Sequence, residues 1–175
     1  MVHNVKPARM KLRLQFGKYQ AGFVGAKNDH KALDVLNWWK ARCLEWCSEE
    51  QGHKDRWGDQ KYLDKIPELF DNVKISDHLG VDAALWNTVN NLNITGNDVY
   101  VNNHQLLCYH FCNMVIFNER EYDLWKWPNW HVDRQLLEYI YKPYIKGLYD
   151  TISYLRSINL DVEQFFDNTS EERLA

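Results

Sequence analysis

No stretch of the 175 residues holds an apolar run near the roughly 18 residues needed to cross a bilayer. The first residues, with Lys6, Arg9, Lys11 and Arg13 spread through them, also lack the apolar core of a secretory leader. Together these absences predict a cytoplasmic chain without a membrane span, in which the sequons Asn93-Ile94-Thr95 and Asn168-Thr169-Ser170 are chance. An excess of one charge is missing as well. The 21 Lys and Arg against 24 Asp and Glu leave a net charge of -3 with no long block of either sign, so nucleic acid and anionic membranes are not expected partners. No internal repeat, heptad array or low-complexity tract is evident, and the length suits one domain with a real core.

Cysteine is sparse: Cys43-x3-Cys47 and Cys108-x3-Cys112, with His110 inside the second pair. Two such pairs could converge on a tetrahedral zinc, but gaps of three are less typical than gaps of two. Cys43 and Cys47 also fall on the inner stripe of a strong helix, where a free thiol behaves as a small hydrophobe. What the chain has in quantity is aromatic surface, eight Trp and ten Tyr, which serves either as core or as platforms for flat apolar faces such as sugar rings.

Taken in order, 1–18 with Pro7 reads as an irregular lead-in. Tyr19 to Ala26 is a short apolar run with Gly22 and Gly25 three apart, predicting a buried strand open to close approach by a ligand or another backbone. From Asn28 or Asp29, either a competent N-cap, the clearest helix begins, with Ala32, Val35, Leu36, Trp39, Cys43, Trp46 and Cys47 as one stripe packed on a sheet. Trp38 lies beside that stripe, available to a partner. After a charged loop comes Trp57-Gly58-Asp59-Gln60-Lys61-Tyr62-Leu63-Asp64, where a glycine turns the chain and an acid opens a helix that buries Tyr62, Leu63 and Ile66 and stops near Pro67. Val73 to Ser76 alternates as a short strand, and Asp77 to Asn87 reads as an ordered loop. Residues 92–111 predict paired strands turning at Thr95-Gly96-Asn97-Asp98, with His110 on one face of the last strand and Tyr109 and Phe111 on the other. Residues 113–131, with Trp125, Trp127, Pro128 and Trp130, read as an irregular lid, sugar platform or core cap. From about Val132 a long helix follows with the stripe Leu136, Leu137, Ile140, Tyr144, Leu148, Ile152 and Leu155, kinked or divided at Pro143. Residues 158–175 read as a weakly ordered acidic tail.

Five of these pieces, in this order, carry a resemblance: Tyr19 to Gly25, the Trp38-Trp39 helix, Gly58 to Asp64, Trp86-Asn87 and Tyr109-His110-Phe111. Over roughly residues 3–155 the chain resembles the C-terminal half of bacterial glycosyltransferases of the nucleotide-diphospho-sugar transferase (GT-A) fold, an α/β architecture. The resemblance implies a partial GT-A-like fold over 1–157, a mixed sheet packed by a few helices. It places Gly22 at the floor of the donor sugar, Asp59 and Gln60 at the reacting centre and Trp57, Gly58, Trp86 and Asn87 on the substrate side. His110 falls near a divalent metal, Mn or Mg. Gln20 stands where the family usually has Asn, Asp82 where Asn is expected before Trp-Asn, and Asn113 where a glycine follows His-Phe. The family's donor half ends in Asp-x-Asp, and no Asp-x-Asp occurs in these residues. The implied partners are a nucleotide-sugar donor, a saccharide acceptor, and either a separate N-terminal half or a second copy, with little transfer by this chain alone. A non-catalytic carbohydrate-binding or interaction module and a zinc-stabilised structural domain are the other readings.

Overall fold

Asp29 caps the first helix of the structure, a computed structural model that describes residues 14–50, 55–88, 91–126 and 131–167. Its backbone is extended, and its carboxylate accepts from the Ala32 N–H at 3.0 Å, satisfying one donor that a helix start leaves open. This helix, α1, spans His30–Glu45 and ends at Trp46, whose extended backbone leaves Cys47 outside it. The chain divides into two compact units, Met1–Asp82 and Ala83–Ala175.

In the first unit, Gln60–Lys65 forms a 3-10 helix that passes directly into α2, Ile66–Leu69. Tyr62, Leu63 and Ile66 are buried as the spacing predicts. The helix stops at Leu69, near Pro67 as predicted; Pro67 itself lies in the first turn of α2, where proline is tolerated, and Phe70 ends the element. The residues predicted as strands at 19–26 and 73–76 form no strand, so α1 packs against the 3-10 helix and not on a sheet. Trp38 is not free either, since its ring meets Phe70 edge-on at 6.1 Å.

The second unit opens with α3, Leu85–Thr88, and continues into a three-stranded antiparallel sheet of β1 (Leu92–Thr95), β2 (Asp98–Val101) and β3 (His104–Gln105) in that order. The predicted hairpin has a two-residue loop, Gly96-Asn97, with left-handed backbone (φ +62) at the glycine. A second two-residue loop, Asn102-Asn103, has both residues at positive φ (51 and 97), the type I′ pattern that asparagine tolerates. The long strand predicted over 105–111 is therefore cut short at Gln105, and only Tyr109 forms a further bridge, parallel, to Ala83. The predicted irregular segment contains a small hairpin, β4 (Val115–Ile116) with β5 (Tyr122–Asp123). Trp127, Pro128 and Trp130 lie outside the described residues. The architecture is thus helices with small antiparallel sheets.

Asp133 caps the long helix, accepting from the Leu136 N–H at 2.9 Å. Three segments follow without a break: α4 (Arg134–Leu136), a π-helical turn (Leu137–Tyr141) and α5 (Lys142–Ser157). Pro143 cannot donate to the carbonyl of Tyr139, and its ring would crowd that carbonyl in a regular helix; the wider turn immediately before it relieves the conflict. The wider turn also changes which side chains face inward. Tyr141, 1% exposed, and the half-buried Ile145 join Leu136, Ile140, Leu148, Ile152 and Leu155 of the predicted stripe, while Tyr144 is exposed. Leu85, Val101, Leu136 and Tyr141 are the largest apolar groups sealed in this unit, each contributing about 1.5–3 kcal/mol of burial.

The helix ends in a Schellman motif with Asn159 left-handed (φ +62): the Leu160 N–H donates to Leu155 O and the Asn159 N–H to Arg156 O. The predicted acidic tail is therefore fixed at its start. Val162 is buried at 3% exposure, Glu163–Phe165 is a 3-10 turn, and the Asp167 N–H donates to Ile116 O at 2.8 Å. Residues 168–175 lie outside the described residues. Among the described residues no helix is long and apolar enough to cross a membrane.

Candidate functional site

The octamer Trp57 to Asp64 is the hub of the first unit. Trp57 packs edge-on against Phe16 with ring centroids 4.7 Å apart. Gly58 adopts φ +49 with open space where a Cβ would stand, so the backbone conformation, not crowding, calls for glycine. Its N–H donates to Ser48 O at 2.8 Å, and the carbonyl of Asp59 accepts from the Trp39 indole at 2.9 Å. Tyr62 donates its hydroxyl to Trp46 O at 2.8 Å, tying the octamer to the end of α1.

Three further side chains hold the lead-in. Gln60 accepts from the Ala21 N–H at 3.3 Å and donates to Phe16 O at 3.1 Å. Lys61 donates to Leu14 O at 2.9 Å and to Asp64 at 3.0 Å, and Asp64 accepts from the Lys18 N–H at 2.6 Å. The Lys61–Asp64 pair is well shielded, at 15% and 13% side-chain exposure. Both ends of the Gln60 amide are therefore committed to backbone, which makes it a positioning residue for residues 16–21. Asp59 differs: it occupies the N-cap position without capping, is exposed, and its carboxylate makes no hydrogen bond or ion pair with a described residue. The Ala21–Gln60 bond brings the exposed Gly22 beside this hub.

Nearby, Cys43 is half-buried. Burial first, then Cys47 and Asp59, push its thiol up, which is the opposite of an activated nucleophile.

In the second unit, Trp86 lies between His110 (5.8 Å) and Trp125 (6.0 Å), all three half-buried. The backbone N–H of His110 donates to Ala83 O at 2.7 Å, which ties this residue's main chain to the stretch that leads into Trp86. Asn87 instead points inward: 6% exposed, its side-chain oxygen accepts from the Ala84 N–H at 2.7 Å and fixes the short α3. On the other side of the same stretch, Tyr109 and Phe111 form an aromatic cluster with Tyr141 and Tyr144, the Phe111 and Tyr144 rings stacked at 3.7 Å. The predicted division of His110 from Tyr109 and Phe111 thus persists without a strand. Among the described residues no three His, Cys, Asp or Glu side chains are gathered as a metal ion requires, and all four cysteines are free thiols.

The chain resembles two Bacillus proteins. It is 32% identical over 158 residues to the uncharacterized protein YfnD of Bacillus subtilis (strain 168), a match covering 89% of this chain and 50% of YfnD. It is 43% identical over 76 residues to the uncharacterized protein YfnF of the same organism, covering 43% of this chain and 25% of YfnF. The chain spans at most about half the length of the curated relatives it matches. No family model matches, and no solved structure matches. The YfnD match is long enough to contain both the octamer and the Trp86–His110 group.

Sequence reasoning singled out the octamer, Trp86 and His110, but missed Lys61 and Asp64 as the clamp on the lead-in. Their signal was present: two opposite charges three apart on one helical face inside a hydrophobic turn.

Proposed function

We propose that the chain is the acceptor-side portion of a nucleotide-sugar-dependent glycosyltransferase, with little or no transferase activity by itself. The observation that carries the reading is the split within the octamer. The neighbours of Asp59 are committed to holding the turn, whereas its own carboxylate is left exposed on a fixed backbone, next to the Gln60 amide that holds Ala21 and so the start of the Gly22 segment. A carboxylate so presented can orient an acceptor hydroxyl or take its proton as the new glycosidic bond forms. The order of five motifs supports the sugar-transfer class, and the YfnD match, half the length of that protein, agrees with a portion of a larger enzyme. The side chains described here do not by themselves fit a divalent metal, so no step is assigned to one.

Calorimetric titration of the chain with nucleotide sugars in the presence of Mn or Mg tests this. No binding is expected, and tight binding would refute the claim that the donor-binding portion lies elsewhere. If free glycans bind and Asp59→Ala abolishes that binding without unfolding the chain, a carbohydrate-binding module replaces the transferase reading.

A further inference from the structure

The most amphipathic helix of the first unit covers nothing fully. No residue of α1 is buried, and Ala32, Val35 and Leu36 of its apolar stripe open onto a cavity of about 690 Å³. The other walls are two segments without regular secondary structure, Phe23 to Lys27 and Val73 to Ser76. Both have the composition of strands, yet residues 22–26 and 74–75 make no backbone hydrogen bond to a described residue. Phe23 (52%), Val24 (46%) and Ile75 (40%) remain exposed. Gly25 adds an independent sign: its φ is ordinary and nothing lies within 4 Å of where a Cβ would stand, so this unit gives no reason for glycine. Glycine in an extended segment marks a place where another backbone comes close.

We infer that this groove is a docking seam for polypeptide, filled by an extended apolar segment from the part of a YfnD-length protein that this chain does not span. Wall backbone that no described residue pairs can form main-chain hydrogen bonds to an added strand, and the α1 stripe supplies the apolar floor. Lys31 and Lys74 stand at the lining beside the Lys27–Asp29 ion pair, an excess of positive charge that suits carboxylates beside the apolar residues of the incoming segment. YfnD matches nearly all of this chain with only half of itself, so that protein has further residues from which such a segment can come. The inference does not depend on sugar transfer.

The test compares hydrogen exchange of 22–27 and 72–77 in this chain at micromolar concentration with that of the aligned segments in intact YfnD. Fast exchange is expected in this chain, and slowing by about a hundredfold or more in YfnD. Equal, fast exchange in both proteins overturns the seam. Protection in this chain as a monomer overturns it too, since the chain's own residues would then cover the groove. Protection that appears only with a concentration-dependent dimer replaces the occupant by a second copy. Phe23→Asp should leave the melting of this chain unchanged, and the equivalent substitution in YfnD should lower that protection about thirtyfold or more. A substitution harmless in both proteins would count against the seam, and Ile75→Asp provides a second position on the opposite wall.

Discussion

Asp59 and Gln60 are neighbours in sequence, but the structure gives them different work, and replacing each separately tests that. Gln60→Met keeps the side-chain volume and removes both amide groups. Two neutral hydrogen bonds, to Ala21 and Phe16, are lost, at about 0.5–1.5 kcal/mol each, or about 2 kcal/mol together. For a unit the size of Met1–Asp82, that lowers the midpoint of thermal unfolding by about 8–16 °C. Asp59→Asn removes a charge from an exposed side chain with no partner among the described residues, and its effect should stay within about 0.5 kcal/mol. The assay is thermal unfolding followed by tryptophan fluorescence, which reports this unit through Trp39 and Trp57. A Gln60→Met midpoint within about 2 °C of the parent, or an Asp59→Asn loss as large as that of Gln60→Met, would refute the division between a positioning amide and an uncommitted carboxylate.

Asp64→Asn should cost about 2 kcal/mol by urea denaturation, because it strands a shielded Lys61 and weakens the bond from Lys18; a double-mutant cycle with Lys61→Met should show coupling, and additivity would count against the clamp. Burial holds the hydroxyls of Tyr109 and Tyr141 protonated above the ordinary tyrosine range, and burial with the Tyr149 hydrogen bond raises Tyr122 to about 12. The native values exceed the unfolded ones, so this stability is complete below about pH 10 and is lost as pH rises through the native values. Absorbance at 295 nm should show their ionisation arriving with the loss of near-ultraviolet dichroism, and early ionisation without unfolding would contradict it. Asn159→Gly should stabilise the second unit by a few tenths to about 1 kcal/mol, because glycine adopts φ +62 without strain, whereas Asn159→Val should destabilise it, both read by urea denaturation.

The sequence was most legible where one local rule decided the outcome. Asp29 before an apolar stripe had to open a helix, and Gly96 between alternating residues had to turn a hairpin. It was least legible where pairing partners decide. Phe23 to Ala26 and Val73 to Ser76 look like strands, but strand formation needs a neighbour, and the described residues provide none. Asn102-Asn103 carried a readable turn signal that would have ended the third strand early. The candidate residues were legible but not their roles: Asn87 and Gln60 have the chemistry of substrate contacts, and only their hydrogen-bond partners show them holding backbone.

The wide turn before Pro143 bears on how this helix tolerates changes in length. Ile140, four after Leu136, and its neighbour Tyr141 are both buried, so the wide turn takes one surplus residue into the inward face, and Ile145, Leu148, Ile152 and Leu155 follow Tyr141 in phase. A chain lacking one residue between 137 and 141, with Pro143→Ala to remove the clash, should therefore keep the same inward face on a plain α-helix. The same deletion between 146 and 151 would turn everything after it by about 100° and expose Ile152. Length variation in this helix is therefore harmless at one turn and disruptive at the next.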